Sequence, residues 1–323
     1  MFFRGQTLGK YRILSSLGSG GFGSVYLAED TWIDKKVALK VPHKQNLDFN
    51  EMIKEPRLLA SMSHPNIVGV LTAEKQNDVL FIVMEYVPGE TLEELIVREG
   101  VLDLAKALDF SCQICDAVGH AHGAGILHRD IRPGNMLISG NGMLKVSDFG
   151  TSRYLEIAAH GTTVIGSPPY MAPEQFYGKA VFASDIYSVG VTMYQMFTGT
   201  MPYDTPTPRD ITRLARGEML SAPRIKNPKI PKAINDIVLR AMAPEPTDRY
   251  QKASELLEAL LAAREPAPRR AVGRGGTKNA EVNVAEIQSR LRARETPPAR
   301  FCWHCRKPLH ARTARCPFCN EAQ

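Results

Sequence analysis

His128-Arg129-Asp130-Ile131-Arg132-Pro133-Gly134-Asn135, followed by Ser147-Asp148-Phe149-Gly150, is the stretch on which the reading of this chain turns. Asp130 can accept the proton of an attacking hydroxyl. Asn135 and Asp148 offer an amide carbonyl and a carboxylate, hard oxygen donors suited to Mg²⁺, which takes few protein ligands and leaves room for phosphate oxygens. Between the two motifs, Met136-Leu137-Ile138 and Leu144-Lys145-Val146 flank Ser139-Gly140-Asn141-Gly142. That pattern predicts a hairpin with a glycine-bearing turn, which would set the two motifs side by side.

Working outward, residues 9–41 alternate apolar and polar positions around turns and predict strand, loop and strand. Gly18-Ser19-Gly20-Gly21-Phe22-Gly23-Ser24-Val25 matches G-x-G-x-x-G-x-V, in which glycines let backbone amides approach phosphates. A dinucleotide-binding reading is disfavoured, because Val25-Tyr26-Leu27-Ala28 continues as strand where that fold needs a helix. Val37-Ala38-Leu39-Lys40 follows; a strand lysine is ordinarily a solvated edge charge, and only its spacing from the glycines gives it another part. Residues 48–61 have helical spacing of Phe49, Met52, Ile53 and Leu59 and carry Glu51 and Glu55. Val79 to Val83 is an apolar strand leading into Met84-Glu85-Tyr86-Val87-Pro88-Gly89. Leu102 to Gly123 is helical, and its Cys112 and Cys115 share one face without a second pair nearby, which predicts buried packing rather than metal binding. His120 and His122 are read as structural or exposed. Ser184-Asp185-Ile186 begins a long apolar helix, and Ser254 to Ala263 predicts a last one.

Taken together and in order, these motifs resemble the eukaryotic-like protein kinase family, from about Tyr11 to Arg264. The resemblance implies a kinase domain over residues 11–264 with a two-lobed α+β fold, a β-rich N-lobe and a mostly helical C-lobe. It implies ATP as phosphoryl donor, Mg²⁺ or Mn²⁺, and serine or threonine hydroxyls of protein substrates as acceptors. Residue by residue, it implies that Leu17, Gly18, Gly20, Gly23 and Val25 cover the nucleotide, with Ala38 and Leu137 on the apolar faces. Met84 stands as gatekeeper, and the Glu85 carbonyl and Val87 amide face the purine. Lys40 reaches the phosphates and is held by Glu55, with Glu51 the competing choice one turn earlier. Asp130 orients or deprotonates the hydroxyl, Asn135 and Asp148 hold the metal, and Arg132 meets the γ-phosphate. Asp185 holds the backbone of the catalytic loop, and Arg249 pairs with Glu174. In Gly166-Ser167-Pro168-Pro169-Tyr170-Met171-Ala172-Pro173-Glu174, Ser167 keeps the hydroxyl that this position uses against the catalytic aspartate. Thr162 and Thr163 are candidates for autophosphorylation, with Arg129 placed to receive the phosphate.

One residue departs from the pattern. Ser/Thr kinases of this family usually carry lysine where this chain has Arg132, as some tyrosine kinases do, and a planar fork is not interchangeable with an ammonium. An alternative from another class, a scaffold that binds nucleotide or partners without turnover, rests on Arg132 alone.

The totals are those of a globular chain: 323 residues, 44% hydrophobic and 23% charged, enough for a two-lobed core and a small appendage. Met1-Phe2-Phe3-Arg4-Gly5 lacks the apolar stretch of a secretory signal, and no apolar run reaches the roughly 18 residues of a membrane span. A cytoplasmic protein without a span is the expectation. Charge is unevenly spread. Residues 1–264 carry 28 Lys+Arg against 29 Asp+Glu, a net −1, whereas residues 265–323 carry 12 against 5, a net +7.

Residues 265–299 read as a flexible basic linker with a short helix between Asn279 and Glu295, stopped by Pro297-Pro298. Residues 300–323 contain Cys302-Trp303-His304-Cys305 and Cys316-Pro317-Phe318-Cys319. This C-x₂-C-x₁₀-C-x₂-C pattern predicts a tetrahedral Zn²⁺ site of Cys302, Cys305, Cys316 and Cys319, with His304 and His310 surplus. The module resembles a zinc ribbon, in which metal binding supplies most of the folding energy. Disulfides are disfavoured in a reducing compartment, and redox-active dithiols are a second alternative. Arg300, Arg306, Lys307, Arg312 and Arg315 predict a solvated basic surface rather than nucleic-acid readout. Docking of a protein partner is the preferred role of the ribbon, and a transient homodimer is the remaining expectation.

Overall fold

The computed structural model describes residues 2–20, 23–43, 57, 59–60, 62–149, 167–207, 209–264, 300–301 and 308–309. Met1–Arg264 form one compact unit and Glu265–Gln323 a second.

The first unit begins with strands β1 (Thr7–Leu8), β2 (Tyr11–Gly20), β3 (Gly23–Asp30), β4 (Lys35–Pro42), β5 (Val70–Gln76) and β6 (Val79–Glu85), joined in one antiparallel sheet of order β1-β2-β3-β4-β6-β5. Side chains alternate faces along a strand. Tyr26 and Ala28 of β3, Val37 and Leu39 of β4, and Phe81 and Val83 of β6 are buried in one cluster. The other face therefore carries Val25 and Leu27, Ala38 and Lys40, and Ile82 and Met84. It is this second face that looks toward the rest of the domain.

The helical part has its own, larger core. Helix α1 (Leu92–Glu99) starts at Thr91, whose hydroxyl accepts from the Glu94 amide while the Glu94 carboxylate accepts from the Thr91 amide, a reciprocal capping box. Helix α2 (Leu104–Gly123) starts two residues later than the predicted stretch, because Asp103 caps it by accepting from the Ala105 and Lys106 amides. Helix α3 (Phe182–Thr198) is buried along nearly its whole length and is the post around which α2, α6 (Lys232–Ala241) and the three-residue turn Pro168–Tyr170 pack. Short helices α4 (Ile211–Ala215) and α5 (Pro223–Lys226) precede α6, and α7 (Ala253–Arg264) closes the unit against α2. Cys112 and Cys115 are buried free thiols on α2. Burial pushes the Cys112 thiol up to about 11, so neither the position nor the acidity of a metal-ligating thiolate is present.

A small sheet of β7 (Gly89–Thr91), β8 (Met136–Ser139) and β9 (Leu144–Val146) lies at the junction. Here the two parts are stitched together. The Val68 amide donates to the Val146 carbonyl at 2.9 Å, and the Val146 amide to the Asn66 carbonyl at 2.8 Å. Asn66 Nδ2 donates to Gln113 Oε1 and to the Leu144 carbonyl. A second crossing is the chain itself, between β6 and β7, where Lys145 of β9 reaches the Glu85 carboxylate at 3.0 Å.

Among the described residues no helix is long and apolar enough to cross a membrane. In the second unit, β10 (Arg300–Phe301) pairs antiparallel with β11 (Pro308–Leu309). The predicted linker helix lies outside the described residues. So do Glu51, Glu55 and most of the predicted helix over 48–61, along with Thr162, Thr163, His304, His310 and the four tail cysteines.

Candidate active site

The hairpin predicted between the two motifs forms, with Met136 opposite Val146 and Ile138 opposite Leu144. Its turn is closed by the Gly142 amide on the Ser139 carbonyl at 2.8 Å, with Gly142 at φ +78°. The residue before β8 and the residue after β9 therefore meet at its base. Ser147 donates to the Asn135 carbonyl through its amide at 2.9 Å and its hydroxyl at 3.1 Å. Asn135 and Asp148 are neighbours for that reason.

The loop ahead of Asn135 is fixed by buried polar groups. Asp185, at the start of α3, accepts from the backbone amides of His128 and Arg129, each at 2.8 Å, and bonds His122 Nε2 at 2.8 Å. Arg129 sits at φ +68°, a region costly for a side-chain-bearing residue and held only where the surroundings dictate it. The paired amides on one carboxylate are that constraint, and Gln175 adds a bond to the Arg129 carbonyl at 3.1 Å. Burial pushes the Asp185 carboxyl up, but the bonds from His122 and the His128 backbone outweigh it and leave the group below its ordinary value. His128 is fully buried; its Nδ1 accepts from the Asp130 amide at 3.2 Å and its Nε2 donates to the Ser147 carbonyl at 2.8 Å. The Phe149 ring packs on it at 4.5 Å between centroids.

Asp130 and Asn135 are both buried. Asn135 Nδ2 donates to the Asp130 carbonyl at 2.8 Å and to Asp130 Oδ2 at 2.9 Å. That spends the amide hydrogens of Asn135, so its oxygen is the atom left for a cation. Asp130 Oδ1 is buried and has no hydrogen-bond partner among the described residues. A carboxylate oxygen in this state is an acceptor waiting for a donor. Arg132 stands beside it, Nε 3.6 Å from Asp130 Oδ2.

From the sheet above, Lys40 on β4 reaches down to pair with Asp148 Oδ1. Burial pushes the Asp148 carboxyl up, but the Lys40 charge and hydrogen bond outweigh it and hold it below the ordinary value. Asp148 adopts φ +62°. Lys40, Met84, Asp148 and Phe149 line a cavity of about 30 Å³ at the back of the cleft, room for about one water.

Val25 and Ala38 lie on the same sheet face as Lys40, and Met84 pairs opposite Ala38 in register. Val87 is buried, Leu137 is half-buried between core-facing Met136 and Ile138, and Leu17 is exposed near the end of β2. The glycines divide by function of space. A Cβ on Gly23 would meet the Val41 carbonyl at 2.4 Å, so Gly23 is demanded by β4; Gly18 and Gly20 face nothing within 4 Å. Ser167 is half-buried, its carbonyl accepting from the Tyr170 amide at 2.9 Å. Glu174 and Arg249 form a two-bonded pair at 2.6 and 2.9 Å.

His122, read as structural or exposed, is structural: it holds Asp185. Two contributors escaped the sequence reading. Gln175 ties the loop to the turn after Ala172. Gln113, a polar residue at a core position of α2, accepts from both Asn66 and the Leu144 amide; its place on the apolar stripe was the signal available.

Comparison with known proteins gives a consistent picture. A family described as "Protein kinase domain" matches residues 11–269. The chain is similar to Serine/threonine-protein kinase PrkC of Bacillus subtilis, 39% identical over 256 residues, covering 77% of this chain and 39% of that protein. It is similar to Serine/threonine-protein kinase PksC of Streptomyces coelicolor, 35% identical over 270 residues, covering 78% of this chain and 49% of that one. Among solved structures, the crystal structure of Rad53 1-466 in complex with AMP-PNP matches with a TM-score of 0.67 at 25% identity, covering 77% of this chain and 64% of that chain. The chain thus spans between two fifths and one half of the length of these curated relatives.

Proposed function

Because the chain belongs to the protein kinase family, we propose that it transfers the γ-phosphoryl group of ATP to serine or threonine hydroxyls of proteins. The observation that carries this reading is Asp130 Oδ1, buried and, among the described residues, unpartnered beside Asn135 and Arg132. The acceptor hydroxyl donates to that oxygen. Its oxygen bonds the γ-phosphorus as the bond from γ-phosphorus to the β–γ bridging oxygen breaks; the hydroxyl proton passes to Asp130, and ADP leaves.

Each neighbour then has a task. Lys40 exchanges Asp148 for the nucleotide phosphates, and Glu55 is its proposed partner on the helix. Gly18 and Gly20, open above their Cα atoms, let backbone amides close on the phosphates, with Leu17, Gly23 and Val25 around them. Val25, Ala38 and Leu137 hold the adenine faces, and the backbones of Glu85 and Val87 its edge. Arg132 offsets charge on the transferred group. Asn135, through its uncommitted oxygen, and Asp148, kept anionic by Lys40, fit Mg²⁺. The ion, when bound, neutralises charge on the phosphate oxygens. Phosphate on Thr162, Thr163 or Ser167 is the proposed result of self-modification.

The test is incubation of the purified chain with Mg²⁺ and γ-labelled ATP beside Asp130→Asn, with mass-spectrometric mapping. Label on the 151–166 loop or Ser167 in the wild type alone supports the reading. Equal label in both, or none while nucleotide still binds, overturns it, the second result favouring a nucleotide-binding scaffold.

For residues 300–323 we propose a structural Zn²⁺ held by Cys302, Cys305, Cys316 and Cys319 in a ribbon that docks a protein partner. The donor set suits the metal, and the pairing of β10 with β11 brackets the first cysteine pair in sequence. Metal analysis should give about one Zn per chain. Unchanged metal content in a Cys302→Ser/Cys316→Ser chain would remove the assignment.

A further inference from the structure

Arg132 is the departure from the family pattern that bears on chemistry, and two neighbours, Gly134 and Glu93, lie against it. Its guanidinium folds over Gly134 while its Nε stays beside Asp130. An ideal Cβ on Gly134 would lie 2.3 Å from Arg132 Nη1, 3.0 Å from its Cζ and 2.9 Å from Glu93 Oε2. The space that any side chain at 134 would fill is thus occupied by the Arg132 head and the Glu93 carboxylate. Gly134 lies in the short turn Pro133–Asn135 and is not among the glycines at positive φ, so the backbone itself places no demand for glycine here. What a Cβ would displace is the pair of flexible side-chain ends, Arg132 and Glu93, rather than backbone.

Glu93 comes from the first turn of α1, a different element, and brings Oε2 to 3.9 Å from Arg132 Nη1. On the other side Arg132 Nε is 3.6 Å from Asp130 Oδ2. This Nε is buried and without a hydrogen-bond acceptor, so the charge is held by two carboxylates while one of its donors remains uncommitted. Tyr170 feels both charges, Glu93 opposing and Arg132 favouring its ionised form, which puts the pair at the same mouth as the turn after Ser167.

We propose that Glu93 is a positioning residue for Arg132, docking the guanidinium beside Asp130 with its Nε donor aimed at the transferred phosphoryl, and that Gly134 is the steric condition for this dock. The proposal rests on the kinase reading for its consequence in turnover, but not for its geometry. In this chain the arginine that stands in place of the family's lysine comes with a glycine two residues later and a carboxylate on α1. The three residues act as one unit.

The experiment is a pair of double-mutant cycles, Gly134→Ala with Arg132→Ala and Glu93→Gln with Arg132→Ala, read by kcat, by KM for ATP and by melting midpoint. Gly134→Ala should lower kcat toward the value of Arg132→Ala and lower the melting midpoint. In the Arg132→Ala background the same glycine substitution should change kcat by less than about two-fold and lower the midpoint by less than it does in the wild type, since the nearer of the two heads is gone and Glu93 alone must give way. Glu93→Gln should lower kcat by about two- to five-fold, as a partly exposed ion pair commands, with KM for ATP little moved, and should have no effect once Arg132 is alanine. Independent, multiplicative effects in both cycles would overturn the proposal, as would a Gly134→Ala penalty equal in the two backgrounds. Should the wild type transfer no phosphate, the functional reading fails, and the midpoints alone decide the dock.

Discussion

Arg249 offers the sharpest single perturbation of this fold. Its side chain is fully buried, and every donor it owns has an acceptor. Nε bonds the Ala243 carbonyl; Nη1 bonds Glu174 and the Ala183 carbonyl; Nη2 bonds Glu174 and the Pro244 carbonyl, all between 2.6 and 3.0 Å. Arg249→Met keeps much of the apolar stem and removes all five bonds. Three carbonyls each lose a donor, and the Glu174 carboxylate keeps the Ser184 hydroxyl at 2.6 Å and a bond from its own backbone. Breaking a buried pair from one side costs about 3–5 kcal/mol, a large share of the 5–15 kcal/mol that holds an ordinary domain together. With a urea slope of about 3 kcal/mol/M, the denaturation midpoint should fall by roughly 1 to 1.7 M. The pH dependence identifies the cause. In the wild type, burial pushes Glu174 up but Arg249 and Ser184 outweigh it, so its carboxyl sits below the ordinary 4.5. Without Arg249, burial acts nearly alone and the carboxyl moves above that value. The folded variant then takes up a proton more readily than its unfolded chain, so the deficit should shrink between pH 7 and 5, by at most about 1.4 kcal/mol per unit. Glu174→Gln in the variant should recover part of the loss at neutral pH. A deficit below about 1 kcal/mol, or one that grows between pH 7 and 5, would refute the reasoning.

The wild type itself should be acid-sensitive through Glu174 and Asp185, both held below their ordinary values of 4.5 and 3.8. Their stabilisation is complete above the unfolded values and is lost as pH falls through the lower folded ones, so urea midpoints should be level from pH 6 down to about 5 and decline below about 4.5. Gly23→Ala should destabilise by about 1–3 kcal/mol, since its Cβ would meet the Val41 carbonyl. Gly18→Ala, with open space above it, should leave the melting curve unchanged and weaken nucleotide binding in a titration. Asn66→Ala takes one of two donors from Gln113 Oε1 and the side-chain donor from the Leu144 carbonyl and should cost about 1–3 kcal/mol, measured in urea. A chelator should strip about one Zn per chain and leave the melting transition of residues 1–264 in place.

What was legible in advance was local chemistry at fixed spacing. Glycines before a strand, a lysine on the next, and two motifs joined by a hairpin each report backbone geometry within a few dozen residues. The partner choices were harder. Lys40 pairs with Asp148, a residue 108 positions away, and its proposed partner Glu55 lies outside the described residues. Arg249 was expected to meet Glu174, but its three carbonyl acceptors belong to backbone, which carries no mark in a sequence. Gln113 drew no reading in the sequence, since its two donors come from residues 47 and 31 positions away. Gly134 drew none either, and only the fold shows Arg132 and Glu93 in the space a side chain there would take.

Among the described residues, the two backbone crossings between the β-rich and helical parts also bias what motion the cleft can have. The Lys40–Asp148 side-chain pair is a contact that can be exchanged. A body fastened at one point can turn in any direction; fastened at two, it keeps a single rotation, about the line through both. The chain between Glu85 and Gly89 is one fastening, and the bonds of Asn66 and Val68 to Val146 are the other. Displacement then grows with distance from that axis, as along a lever. Asp148, two residues beyond Val146, lies near that fastening in sequence, so an opening about this line should move it least. The glycine tip of β2 and β3 is at the far end of the arm. The same small angle that admits and releases a nucleotide at the tip should move the acidic floor of the cleft least.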